Sequence, residues 1–267
     1  MKEELIVLGT GNAVVTKCFN TCFAIRSDTL FLVDTGGGNG ILAQLEKAGI
    51  KYQDIHDVFI THEHTDHLLG IVWLIRVIGT QMKQNKYEGI MNIYCHRELV
   101  QTIKTIASLT VLPKFYKFVD DRILFHGLED GDERMICGYP VKFFDIQSTK
   151  AKQFGFTTTL KNGRTLCCMG DEPCKESSRA YAKGKDWLLH EAFCLYSQAD
   201  IFKPYEKHHS TVKDACELAK SLEVKNLVLW HTEDKNMENR KALYLAEGRK
   251  YFQGNIYVPD DLDIIPL

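Results

Sequence analysis

Seven consecutive residues, Thr61-His62-Glu63-His64-Thr65-Asp66-His67, hold three of the chain's ten histidines and two of its carboxylates. Neutral imidazole and carboxylate are the ligands preferred by zinc and by manganese or iron, so this crowding points to a metal centre. Residues 57–60 ahead of it form a short apolar β-type run, and 68–75 behind it read as a buried helix. Side chains two apart at a strand end project to the same side, so His62 and His64 face together, while Asp66 and His67 stand where the helix begins. Four side chains can therefore converge on one point. A zincin helix needs histidines four apart on one face, which this spacing does not provide. A solvated polar loop accounts for one or two histidines, not for His-x-His-x-Asp-His between two apolar runs.

Further acid, base and ligand types fall at element boundaries in the second half of the chain. Asp171 follows the strand at 166–169, His190 and Glu191 follow 187–189, His209 precedes a helix over 212–222, and His231 ends the strand at 227–230. Each has an ordinary structural reading: Asp171 as a helix cap, His190 as a packed core histidine, Ser210 or Thr211 as an N-cap. Taken with His62 to His67 they form a second half to the same site.

The elements that must position these residues alternate between strand and helix. A strand at 4–8 runs into the turn Gly9-Thr10-Gly11-Asn12, which lacks the third glycine and the following helix of a dinucleotide fingerprint and reads as a close backbone approach to a site. A hairpin pairs 22–25 with 30–34, a helix covers 41–48 and stops at Gly49, and a strand at 91–95 precedes a helix near 98–108. Strands follow at 123–125, 141–146, 154–160 and 165–169, the last two joined across Asn162-Gly163. This is α/β with mixed sheets.

The 267 residues, 45% hydrophobic and 25% charged, carry no linker or low-complexity tract, so one domain over 1–267 is expected. No apolar stretch is long enough to span a bilayer and Met1 to Leu5 has no signal-peptide core, which predicts a cytoplasmic protein without membrane contact. Nine cysteines without a Cys-x-x-Cys pair argue for free thiols over disulfides or a zinc ribbon. A net charge of −2 excludes a generally basic nucleic-acid surface.

With these residues in view, the chain resembles the metallo-β-lactamase superfamily, and within it the ribonuclease Z branch. The resemblance rests on Leu8-Gly9-Thr10-Gly11 with Asn20, Val33-Asp34-Thr35-Gly36, the His-x-His-x-Asp-His motif, Gly170-Asp171, His190-Glu191-Ala192-Phe193, His209-Ser210-Thr211, His231 and Val258-Pro259-Asp260-Asp261-Leu262. It implies an αβ/βα sandwich of two mixed sheets flanked by helices, with two divalent ions at one edge, zinc first and manganese or iron as alternatives. By resemblance, His62 and His64 hold the first ion, Asp66, His67 and His231 the second, and Asp171 bridges. A hydroxide between ions roughly 3.5–4 Å apart would attack phosphorus in line. Asp66 would help to orient it, and His209, steadied by Glu191, would protonate the leaving group. The family also implies a homodimer.

Two departures bear on function. The family's third histidine for the first ion, shortly before the Gly155-Phe156 pair, is missing from Asp145-Ile146-Gln147-Ser148-Thr149-Lys150, and Gln147 stands as its replacement. Its amide oxygen would make a weaker first site. The arm with which tRNA-processing members grip their substrate is also absent, since only Thr157 to Met169 separates the corresponding strands; residues 112–117, with lysines among aromatics, are a candidate substitute or an ordinary surface loop. The expected activity is phosphodiester hydrolysis on RNA (tRNA 3′ processing) or on a smaller phosphodiester. Alternatives are a superfamily hydrolase of sulfate esters, thioesters or lactams, and a catalytically weak metal- or ligand-binding protein.

Overall fold

A computed structural model describes residues 2–267. Alternation along each strand separates the side chains into two sets, and this builds four layers. In the first sheet, β1 (Glu4–Gly9), β2 (Cys22–Arg26) and β3 (Leu30–Val33) pair antiparallel, and β4 (Asp57–Phe59), β5 (Met91–His96) and β6 (Ile123–Leu128) continue it in parallel. Their alternate residues Ile6, Ala24, Leu32, Val58 and Ile93 face outward into a core shared with α1 (Gly40–Lys47), α2 (Thr65–Lys83), α3 (Arg97–Thr110) and the short α4 (Pro113–Tyr116). The intervening residues Leu5, Phe23, Phe31, Val33 and Phe59 face inward.

The second sheet repeats the plan. β7 (Glu133–Ile136), β8 (Tyr139–Asp145), β9 (Phe154–Thr159) and β10 (Thr165–Cys168) are antiparallel, and β11 (Trp187–Glu191), β12 (Asn226–Trp230) and β13 (Asn255–Tyr257) extend it in parallel. β14 (Ile264–Pro266) returns to flank β1. α5 (Arg179–Ala182) and α6 (Ala199–Phe202) are single turns, and α7 (Val212–Ser221) and α8 (Arg240–Gly248) cover the outer face of this sheet. Between the sheets lies an aromatic seam in which Phe59 meets Phe143 at 4.8 Å and Phe31 meets Phe156 edge-on at 5.6 Å. Burial of such side chains is worth about 1.5–3 kcal/mol each, so the inter-sheet seam is the rigid floor of the molecule.

The expected αβ/βα sandwich is thus observed. The helix expected from Leu68 to Ile75 instead runs from Thr65 to Lys83, because Thr65-Asp66-His67 is its first turn rather than its approach. β7, β13, β14 and α8 were not foreseen; the three strands are short edge strands with weak periodicity, while α8 is a short amphipathic helix that sequence reasoning missed. Residues 112–117 form α4, whose Phe115 and Tyr116 pack into the first core, which favours the ordinary surface reading. Leu160 and Arg164 close the tight Asn162-Gly163 hairpin, with Gly163 at φ 84°, and no arm projects there. All nine cysteines are free. No helix among the described residues is long and apolar enough to cross a membrane.

Candidate metal centre

Five strands deliver the site from their C-terminal ends. β3 leads to Asp34, β4 to His62 and His64, β10 to Asp171 and β12 to His231, and β11 ends at Glu191. Asp34 and His231 hold left-handed backbone conformations, φ 56° and 55°, which non-glycine residues adopt at a cost and which turn each side chain back toward the strand ends. α2 is brought close to β3 by Gly70: a Cβ there would lie 1.9 Å from the Thr35 carbonyl oxygen. That approach lets Thr35 Oγ1 donate to the His67 carbonyl at 3.0 Å, fixing the first turn of α2.

The ligand-type atoms fall into three groups: His62, His64 and Asp171 form the first, Asp66, His67 and His231 the second, and Glu191, His209 and His231 a third beside it. Asp171 Oδ2 is 3.7 Å from His62 Nε2, 3.7 Å from His67 Nε2 and 3.6 Å from His231 Nε2, and so faces the first two. Asp66 Oδ2 lies 3.3 Å from His67 Nε2 and 3.4 Å from His231 Nε2. Ligands bonded at about 2.1 Å to a tetrahedral ion stand about 3.4 Å apart, so the second group has the dimensions of a zinc site. Buried His67 Nε2 and Asp171 Oδ1 have no protein hydrogen-bond partner, and both belong to the cluster. The donor set therefore fits a divalent metal. In the first group His62 Nε2 lies 2.9 Å from His64 Nδ1, at hydrogen-bond distance and inside the spacing of a tetrahedral ligand pair.

One carboxylate organises the first two groups from behind. Asp34 Oδ2 is 2.7 Å from His67 Nδ1 and accepts from Thr61 Oγ1 at 2.8 Å, and that hydroxyl is 2.9 Å from His62 Nδ1. Such partners fix imidazole tautomers and leave Nε2 free to ligate. Burial disfavours a proton on His67, but Asp34 and Asp66 outweigh it and raise its pKa well above the usual histidine range. Burial, with the neighbouring His67 and His64, drives His62 the other way, against the pull of Asp171. Burial would also raise Asp171, yet His62, His231 and His67 hold its carboxyl well below the usual range.

A cleft of about 560 Å³ opens over the second group, lined by Asn12, Val14, His64, Asp66, Lys150, Asp171, Phe193, Lys207, His209 and His231. His209 enters it from the loop before α7, whose Thr211 N-cap closes a capping box with Asp214. Glu191, fully buried, accepts from Ser210 N at 2.6 Å and lies 2.7 Å from His209 Nδ1. Burial, then the Lys150 ammonium, pushes His209 down to about 4, while burial pushes Glu191 well above the usual carboxylate range. Glu191 and His209 thus form a hydrogen-bonded acid–base pair whose imidazole lines the cleft. Phe193 stacks on the His209 ring at 5.0 Å and 9°.

Of the residues expected at the site, His62, His64, Asp66, His67, Asp171, His209, Glu191 and His231 come together. Gln147 does not. Its left-handed backbone, φ 56°, turns the side chain outward, where Oε1 accepts from Ser177 Oγ at 3.0 Å. His190 is a core histidine, its Nδ1 2.7 Å from the Glu191 carbonyl oxygen. Sequence reasoning assigned no role to Asp34, Gln153, Lys150 or Glu172. Asp34, at an apolar strand end before three glycines, carried a readable signal; Gln153, buried with its amide 3.0 Å from His62 Nδ1, did not.

A family model described as anti-Pycsar protein Apyc1 matches residues 3–252. A protein named ribonuclease Z from Methanothermobacter thermautotrophicus is 28% identical, covering 93% of this chain and 92% of its own. That alignment runs over 292 positions against 267 residues here, so the relative has segments this chain lacks. Among solved structures, the short form of human tRNase Z superposes with TM-score 0.74 at 24% identity over 98% of each chain. The Bacillus subtilis metallo-β-lactamase fold protein YhfI does so with TM-score 0.82 at 14% identity over the whole of both.

Proposed function

The chain belongs to the family of the anti-Pycsar protein Apyc1, and from that premise we propose that it is a metal-dependent phosphodiesterase, acting on a small phosphodiester. The observation that carries this reading is an acid–base dyad, Glu191 and His209, whose imidazole opens into a cleft lined by four of the six metal-type side chains, His64, Asp66, Asp171 and His231. Asp66, His67, His231 and Asp171 would hold one divalent ion, and His62, His64 and the shared Asp171 a second. Bound there, such ions supply Lewis-acid charge to a phosphoryl oxygen and an activated water.

The chain's own groups do the remaining work. His209 gives a proton from Nε2 to the departing oxygen, held in line at Nδ1 by Glu191, whose other carboxyl oxygen accepts from Ser210 N–H. Phe193 keeps the imidazole plane in place. A cleft of about 560 Å³ matches a ligand of nucleotide size, and the tight hairpin after β9 leaves no arm to grip an RNA fold, which favours the small substrate. The second reading, RNA cleavage, is favoured by the relatives named ribonuclease Z.

Zinc and manganese analysis of purified protein, with hydrolysis of an aryl phosphodiester, cyclic and linear dinucleotides, and a 3′-extended tRNA, tests the assignment. His209→Ala is expected to keep its metal and to slow esters with poor leaving groups by roughly a hundredfold, with little effect on activated aryl esters. Equal losses on both would make His209 structural. Metal binding without any hydrolysis would favour a binding protein, and cleavage confined to tRNA would favour the RNA reading.

A further inference from the structure

The loop that leaves β8, where the family places a third histidine, is not a loose surface turn. The buried Glu172, next to the shared Asp171, builds it: Oε1 accepts from Ser148 Oγ at 2.6 Å and Oε2 from Thr149 N at 3.2 Å. Ser148 Oγ in turn accepts from Lys150 N at 3.2 Å and Ala151 N at 3.3 Å. This framework sends one cation into the cleft. The Lys150 side chain is 22% exposed, with Nζ 3.5 Å from His209 Nε2 and 4.0 Å from Glu172 Oε1. Lys152, two residues on, turns away to Glu98 at 2.9 Å. The Lys150 ammonium and the His209 imidazole thus meet at hydrogen-bond distance in the cleft wall. An ammonium in that position is placed to meet an anionic oxygen.

Resting on the phosphodiesterase reading, we infer that Lys150 is a catalytic residue that contacts the phosphoryl group and supplies the positive charge which a fully ligated first ion would otherwise provide. The centre then works with one tightly held ion, on Asp66, His67, His231 and Asp171. Three observations agree. The first group offers only two imidazoles besides the shared carboxylate. Those imidazoles lie against each other at 2.9 Å. Neither Gln147, bonded outward to Ser177, nor Gln153, behind His62 at Nδ1, presents an atom to that group's open side. The Lys150 ammonium also lines the same cleft as His64 and Asp171, where it repels a second cation.

The test compares the wild type with Lys150→Met, Lys150→Arg and Lys150→His. Metal content after equilibration at limiting zinc, chelator competition, and kcat and KM on an aryl phosphodiester are measured, with thermal unfolding as the control for folding. The wild type is expected to keep one tightly held zinc per chain. Lys150→His should raise this to two, tightening the weak ion at least tenfold, as an added imidazole ligand would. Lys150→Met should keep the single zinc and lose roughly a hundredfold or more in kcat/KM, with Lys150→Arg between. Two ions of equal affinity in the wild type, or kcat/KM within twofold in Lys150→Met, would overturn the inference. If no phosphodiester is hydrolysed by any variant, the phosphodiesterase reading fails, while the zinc count in Lys150→His still decides whether Lys150 stands in a ligand's place.

Discussion

His67 sits between two carboxylates, Asp34 at 2.7 Å and Asp66 at 3.3 Å, and its raised pKa makes it a proton store when no metal is bound. A metal ligand must be deprotonated, so a divalent ion has to expel that proton. Chelator-treated protein titrated with zinc in weak buffer near pH 7.5 should therefore release about one proton per tightly bound ion. Affinity should weaken about tenfold per pH unit of acidification while the apo His67 remains protonated. The sign for folding is the opposite. A histidine whose pKa is raised on folding adds stability that is full below its ordinary value and is lost as pH rises through the folded value. Metal-free protein should thus gain least from His67 at alkaline pH, where metal binds best. Zinc uptake without proton release would place the ion away from His67.

At the level of elements, the contact between β3 and the first turn of α2 sets where Asp66 and His67 stand. Gly70 makes it possible, since a methyl group would meet the Thr35 carbonyl at 1.9 Å and backbone atoms cannot yield cheaply. Gly70→Ala should destabilise the protein by about 1–3 kcal/mol through overpacking, against the small helix-propensity gain alanine offers elsewhere. Because the strain falls on the turn that carries two ligands, zinc content should fall along with the melting temperature. A variant with lowered stability and full metal content would show that α2 shifts as a rigid body without disturbing its first turn.

Across the whole molecule, the C-terminal segment is tied to the site by a single buried cation. Arg240, fully buried, donates from Nη1 to Thr10 Oγ1 at 3.0 Å and Thr232 Oγ1 at 2.8 Å, and from Nη2 to the Pro259 carbonyl at 2.6 Å and Asp260 Oδ1 at 2.9 Å. It joins the glycine turn after β1, the residue following His231, and the stretch before β14. Arg240→Met should cost about 1–3 kcal/mol in urea unfolding, because it leaves the buried Thr10 and Thr232 hydroxyls and the Pro259 carbonyl short of a donor, while its carboxylate partner Asp260 is half exposed. The exposed Lys241–Asp263 pair at 3.4 Å is a control: Lys241→Met should change stability by less than about 1 kcal/mol. Equal effects of the two substitutions would mean that the buried network contributes no more than a surface pair.

How much of this was readable before the chain folded follows from the range of each interaction. Strand and helix periodicity is local, so an α/β chain with mixed sheets, the strand-end placement of His62, Asp171 and His231, and a cap at Ser210 or Thr211 could be read from neighbours in the sequence, while the αβ/βα sandwich came from the family resemblance. Residue type alone marked the metal-type cluster, because imidazoles and carboxylates are seldom crowded together without a use. The resemblance to ribonuclease Z then holds across relatives that align over most of the chain. What escaped depends on backbone sign and on contacts between distant segments. Gln147 stood in the expected place along the chain, yet a positive φ turned it to Ser177, while Glu172, 24 residues from Ser148, bent the same loop so that Lys150 entered the cleft. Asp34 reaches His62 and His67 through side chains 27 and 33 residues away, a junction that exists only once β3, β4 and α2 have packed.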